Sequence, residues 1–192
     1  MAAMTTAQIQ ALGTDQVAVL QTNQVNALTS AQVAKLTTDQ VVALSTLQAA
    51  NLGTLQAAAL TTAGIAAMET ADVAKLNTAA VAALTTTQIR ALTTGDDGQV
   101  VALSTDQVVA LTTDQVAVLT TAQLAALTTA QLAKMETDDI AVITTAQITA
   151  LKTAQMAALT SDQVVTLSND QLAVLKTAQV AALTTANLAA IT

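Results

Sequence analysis

Cysteine, histidine, proline and every aromatic residue are missing from this chain of 192 residues, and glycine occurs only five times. Without cysteine there are no disulfides, no thiol chemistry and no thiolate metal ligands. The compartment stays open, because a disulfide-free chain is compatible with either side of a membrane. Without histidine or tyrosine, most general acid–base chemistry loses its usual carriers. Without aromatics, the interior must be made of Ala, Val, Leu and Ile, which suits a thin, repetitive core better than a thick one. Positive charge is scarce: six Lys and Arg stand against thirteen Asp and Glu, a formal net charge of −7. That balance disfavours an electrostatic grip on nucleic acid or anionic lipid. Long apolar runs are also lacking. Mean hydropathy is +0.55, yet a Thr pair or a Gln interrupts every eight residues, so no run approaches the ~18 apolar residues that span a bilayer. The opening "MAAMTTAQIQ" has neither the basic start nor the apolar stretch of a secretory signal.

What is present is one phrase, repeated. Written from its large aliphatic, the unit is L-T-T-x-Q-V-A-A. Position 1 is Met4, Leu12, Leu20 and so on to Leu92, then Leu103 and every eighth residue to Leu183. Twelve units precede a break and eleven follow it, so the chain reads as a single array over 1–192. Residues 4–92 and 103–192 keep the octad register, with a three-residue insertion in the unit 92–102. Position 3 is Thr except at Ser30, Ser161 and Asn169. Position 5 is Gln except at Gly64, Asp72, Ala80, Asp139 and Asn187. Position 6 is always aliphatic, and positions 7 and 8 are mostly Ala. Position 2 varies through Thr, Ser, Gly, Gln, Asn, Glu and Lys, as a solvent-facing site does.

One continuous helix does not fit this period. Eight residues at about 100° each leave the leucine stripe rotated by roughly 80° per unit, so no straight partner buries it. A short helix in each unit explains more. Thr, Ser or Asn at position 3 accepts from the unpaired N–H groups that open a helix. Where position 2 is Thr or Ser, T-x-x-Q also matches a capping box with Gln at the third helical position. Either position serves as the cap. Charge gives the direction: Asp15, Asp39, Asp106, Asp114, Asp138, Asp162 and Asp170 all hold position 4, in the first turn. Lys35, Lys75 and Lys134 hold position 8, at the end, as the helix dipole favours. The predicted fold is therefore all-α: an α-solenoid of very short helices, one per eight-residue repeat. The alternative is a β-solenoid, suggested by abundant Val and Thr but short of turn residues. Helices of five or six residues are marginal alone, so each must bury positions 1 and 6 against neighbours.

No catalytic, cofactor-binding or metal-binding residues emerge. The Gln column reads as amides that satisfy backbone groups or one another between helices. The Thr rows read as caps. In "TTGDDGQV", Asp96 and Asp97 are too few carboxylates for a calcium site and read as an extruded turn between Gly95 and Gly98. "METADVAK" and "METDDIAV", from Met68 and Met135, carry no assigned chemistry. The carboxylates are scattered along a periodic surface, so the chain is not expected to be an enzyme.

The phrase "LTTAQLAALTTAQLA" (119–133) resembles the octapeptide repeat arrays of large bacterial surface proteins labelled haem-utilisation or adhesion proteins. The resemblance covers nearly the whole chain and implies a bacterial, extracellular or cell-surface repeat segment. Its haem label finds no ligand set here, since His, Tyr and Cys are absent. The expected role is structural: a cell-surface stalk, spacer or head-to-tail fibre-forming element. The alternatives are a Thr-face binding module, similar to ice-binding proteins in composition, and a solenoid scaffold that recruits a protein. Ala2 and Ala3 match positions 7 and 8 of a preceding unit, and Ile191 and Thr192 begin another. Either a longer array or end-to-end self-association is therefore expected. No nucleic-acid partner and no membrane insertion are expected, and no particular protein partner is named by the sequence.

Overall fold

The computed structural model describes residues 1–191; Thr192, part of the incomplete last unit, lies outside them. Among these residues there are twenty-three short helices, α1 (Thr6–Gln10) to α23 (Thr185–Ala190), and no strand. Each octad makes one helix of four to six residues. The all-α solenoid is thus what the chain forms, and the β-solenoid alternative is set aside.

Apart from the helix after the insertion, which follows Gly98 and opens on Gln99, each helix begins on an extended residue at position 2, such as Thr37 with φ −72° and ψ 161°. The Gln is the third residue of the helix that follows, and the helix closes within two turns. The first-turn aspartates lie where the charge order placed them. Lys134 falls in the last turn of α16 (Thr129–Lys134). Helices pack not on their sequence neighbours but on the helices three units before and after, such as α7 (Thr54–Ala59) on α10 (Thr78–Ala83), and the first and last three on one such helix only. The chain therefore circles back over itself once every three to four units, a number the sequence did not specify.

The core is a narrow column. Position 6 supplies its centre, from Ile9 to Val164, at 0–1% exposure throughout. Position 1 closes it from the corners, as with Leu84 and Leu127, each 4% exposed. Gly64, Ala80, Ala49 and Ala57 narrow one stretch of it. A Cβ on Gly64 would lie 3.3 Å from a Val41 methyl, so helix backbones approach closely there. Each unit gains roughly 1.5–3 kcal/mol for each large apolar side chain withdrawn from water.

The insertion leaves this register intact. Gly95 takes φ +119°, in the region glycine favours, and Asp96 and Asp97 project into solvent. Past the loop, Thr93 still caps α12 (Gln99–Ala102), accepting from the Gln99 N–H at 3.1 Å, while the Thr93 N–H donates to Gln99 Oε1 at 3.0 Å. The box closed over three residues in other units is closed over six here. The loop is extruded, as its sequence indicated.

Candidate functional site

The position 5 glutamines carry the most elaborate polar arrangement in the molecule. Gln40, in α5 (Thr38–Val42), shows the pattern. Its Oε1 accepts from the Thr37 N–H at 2.9 Å, and its own N–H donates to Thr37 Oγ1 at 3.2 Å. Its Nε2 crosses to the turn below, donating to the carbonyls of Ile9 at 3.0 Å and Leu12 at 2.7 Å. Those acceptors lie in the last turn of α1 and just past its end, where the Ile9 carbonyl also accepts from the Leu12 N–H at 3.2 Å. One side chain thereby opens its own helix and closes another, 28 to 31 residues earlier. Gln40 is 2% exposed with both ends of its amide satisfied.

The same bonds recur along the chain: Gln56 to Val25 and Leu28, Gln107 to Val73 and Leu76, Gln163 to Leu132 and Met135. At the lower end, Gln32 finds the carbonyls of Met1 and Met4. At the upper end, Asn187 is shorter and reaches the Leu159 carbonyl at 3.0 Å. The amides bond to backbone and not to one another, one of the two arrangements the sequence allowed.

Capping corrects the reading of the Thr rows. The cap is position 2: Thr29, Thr61, Thr120, Thr144 and Thr160 each accept from the N–H of position 5. Position 3 is the first helical residue, and capping does not account for its Thr. Position 2 is variable in sequence because the cap is divisible. At Gly13, Gln21, Lys152 and Lys176 no side chain caps the helix, yet the Gln still reaches back to the position 2 N–H. Solvent exposure and capping coexist at this site.

Three successive units interrupt the ladder: Gly64, Asp72 and Ala80. Asn77 repairs the third. Its Oδ1 accepts from the Ala80 N–H at 2.8 Å and its Nδ2 donates to the Leu52 carbonyl at 2.8 Å. Those are the cap of a Thr and the cross-turn bond of a Gln, combined in one side chain. Asp72 and its counterpart Asp139 are buried, 2% exposed, and one oxygen of each carboxyl, Oδ2, has no hydrogen-bond partner. Burial pushes both carboxyls up from the usual 3.8 to about 6. Glu69 adds to the effect at Asp72, and Glu136, then Asp138, at Asp139. Sequence reasoning assigned the Met-Glu-Thr units no chemistry. The signal that could have found them is an acid in a column otherwise filled by neutral side chains.

Elsewhere the surface is shallow. Asp96 of the insertion, Ala122, Ala125 and Lys152 line one open groove. Leu47 and Leu55, at position 4 of neighbouring units, are 65% and 75% exposed. Among the described residues no group of three or more Asp, Glu, His or Cys side chains is placed to hold a metal. No described helix is long and apolar enough to cross a membrane.

The model of the ALTTAQ repeat matches residues 1–30, 20–46, 65–96, 98–121 and 132–169. No curated protein and no solved structure matches the chain.

Proposed function

Because the chain belongs to the ALTTAQ repeat family, we propose that it is a structural, non-catalytic element, a stalk or spacer at a bacterial cell surface. The observation that carries this reading is the glutamine ladder itself. Side chains that an enzyme would converge on a substrate are here spent on joining one turn to the next, from Gln32 to Asn187. A solenoid so joined resists bending and holds what it connects apart.

The ladder also suggests how such elements extend. Gln8, Gln16 and Gln24 are exposed, and no earlier turn among the described residues receives their amides. At the other end, the carbonyls of Leu167, Leu175 and Leu183 meet no side-chain amide among the described residues. Donors on one face and acceptors on the other are the two halves of the junction repeated inside the molecule. A further stretch of the same array, or a second copy, fits both faces in a head-to-tail, heterologous contact.

Small-angle scattering and sedimentation of the purified chain test this reading. A rod whose sedimentation coefficient or length grows with concentration supports spacer and fibre together. A rod that stays monomeric supports the spacer alone, and a compact or disordered particle overturns both.

A second reading, the protein-recruiting scaffold, draws on exposed Leu47 and Leu55, which interrupt a row carrying mostly Ala and Asp. Capture of a partner that is lost in a Leu47→Asp, Leu55→Asp variant would favour it. A Thr-face lattice draws less support, since Glu69, Glu136, Lys152 and Lys176 break the position 2 row. Thermal hysteresis in the purified chain would restore it.

A further inference from the structure

Two units that begin Met-Glu-Thr share an anomaly. Asp72 lies in α9 (Thr70–Val73) and Asp139 in α17 (Thr137–Ala141), each at the ladder position. By the 31- and 28-residue separations of a regular rung, a Gln at 72 would donate to the carbonyls of Val41 and Leu44. A Gln at 139 would donate to those of Val108 and Leu111. Among the described residues, no side chain donates to any of these four carbonyls. Each aspartate thus presents an acceptor where the turn below presents acceptors too, and each keeps a buried oxygen unpartnered. A buried charge so placed is costly.

Among the described residues neither a lysine nor a cation site answers that charge. The helices packed on α9 are α6 (Thr46–Ala50) and α12, and neither carries a charged residue. Asp39 on α5 and Asp106 on α13 (Thr105–Val109) are exposed, as are Glu69 and Lys75 of the same unit. On α17 the packed helices are α14 (Thr113–Ala117) and α20 (Ser161–Val165), whose charged residues, Asp114 and Asp162, are exposed. Asp106, Asp170, Lys134, Glu136 and Asp138 around this second site are exposed as well. Calcium takes about six to eight oxygens, and one carboxylate with two carbonyls falls short. A proton suffices. It turns an acceptor-only carboxylate into an acid with one O–H to donate.

We propose that Asp72 and Asp139 are acid-operated latches: ionised, each leaves its rung open, and protonated, each donates its O–H to the turn below and closes the ladder. The direction of titration agrees. Both carboxyls are raised by burial to about 6, so the folded state binds the proton more tightly than the unfolded chain does. The gain is complete below 3.8, the ordinary value, and is lost as pH rises through about 6.

Urea unfolding of the full chain at about pH 7.5 and about pH 4.5, against a D72Q/D139Q variant, tests the latches. The variant restores the repeat's own residue and so retains the fold. On acidification the folding constant of the wild type is expected to rise more than that of D72Q/D139Q, by on the order of tenfold per carboxyl. The variant is expected to be the more stable at the higher pH. Hydrogen exchange in α5, α9, α13 and α17 should slow at the lower pH in the wild type relative to the variant. An equal pH response in both proteins overturns the proposal, and so does a variant less stable than wild type at the higher pH. Stabilisation of the wild type alone by calcium or magnesium would assign a cation in place of the proton and overturn it too. An E69T/E136T variant must keep most of the response. If it loses all of it, repulsion among exposed acids is the cause and the latch is wrong.

Discussion

Gln131 Nε2 lies 2.6 Å from the carbonyl oxygen of Leu103, a residue 28 positions earlier in the chain. The same amide accepts from the Thr128 N–H at 2.7 Å. Substituting Gln131 by Leu therefore removes an N-terminal partner and a cross-turn donor together, and leaves buried carbonyls unmet. The expected cost is about 2–4 kcal/mol, read as a lower urea midpoint with unchanged m-value. Gln8→Leu, on an exposed side chain with no earlier turn beneath it, should cost less than about 1 kcal/mol.

The cap at position 2 and the first helical residue at position 3 are separable by mutation. Thr128→Ala is expected to cost about 1 kcal/mol, whereas Thr129→Ala, removing a hydroxyl that caps nothing, should cost under about 0.5 kcal/mol. Lys152→Thr adds the missing half of a box and should stabilise by about 0.5–1 kcal/mol. Thermal melts of the three variants rank them, and equal losses at Thr128 and Thr129 would refute the assignment.

Asn77 and Ala80 form a compensating pair. Asn77→Ala takes away both a cap and the Leu52 bond, for about 2 kcal/mol. The double change N77T/A80Q rewrites the unit in the regular pattern and should return stability to within roughly 0.5 kcal/mol of wild type. A double-mutant cycle showing simple additivity would deny the substitution of one residue for two.

The two glycines of the insertion differ in what they permit. A Cβ on Gly98 would meet backbone carbon of Thr94 at 2.6 Å and Thr93 oxygen at 2.8 Å. Gly98→Ala is thus expected to shift the loop and cost about 2–3 kcal/mol. At Gly95 the space is open and only φ +119° opposes a side chain, so Gly95→Ala should cost roughly 1–2 kcal/mol. Deleting residues 95–97 leaves an ordinary octad and should preserve the helical circular dichroism signal.

Much of this fold was legible in residue order. Leu at position 1, an aliphatic at 6 and a first-turn Asp such as Asp106 determined one helix per octad and its direction. The choice between Thr128 and Thr129 as cap was not legible, because a T-T-x-Q sequence offers two adjacent hydroxyls of the same chemistry and only the backbone angles decide. Nor was the number of units per circuit, which depends on how Gln40 meets Ile9 and Leu12 across a turn. That distance in sequence has no local signature. Asp72 and Asp139 stood in plain view in a column already read as lying between helices, but their meaning required knowing which carbonyls of the turn below that column meets, 28 and 31 residues away. The repair by Asn77 was hidden for the same reason: its partner Leu52 is 25 residues away.

The cross-turn bonds close loops of 25 to 34 residues, as at Asn77, Gln40 and Gln99. However long such an array grows, its contact order per unit stays fixed, so folding can start on any local pair of turns and zip outward. Tension applied along the axis meets a row of similar small junctions. It should peel the molecule open in successive steps near one modest force, giving an extensible tether that rewinds when the load is released.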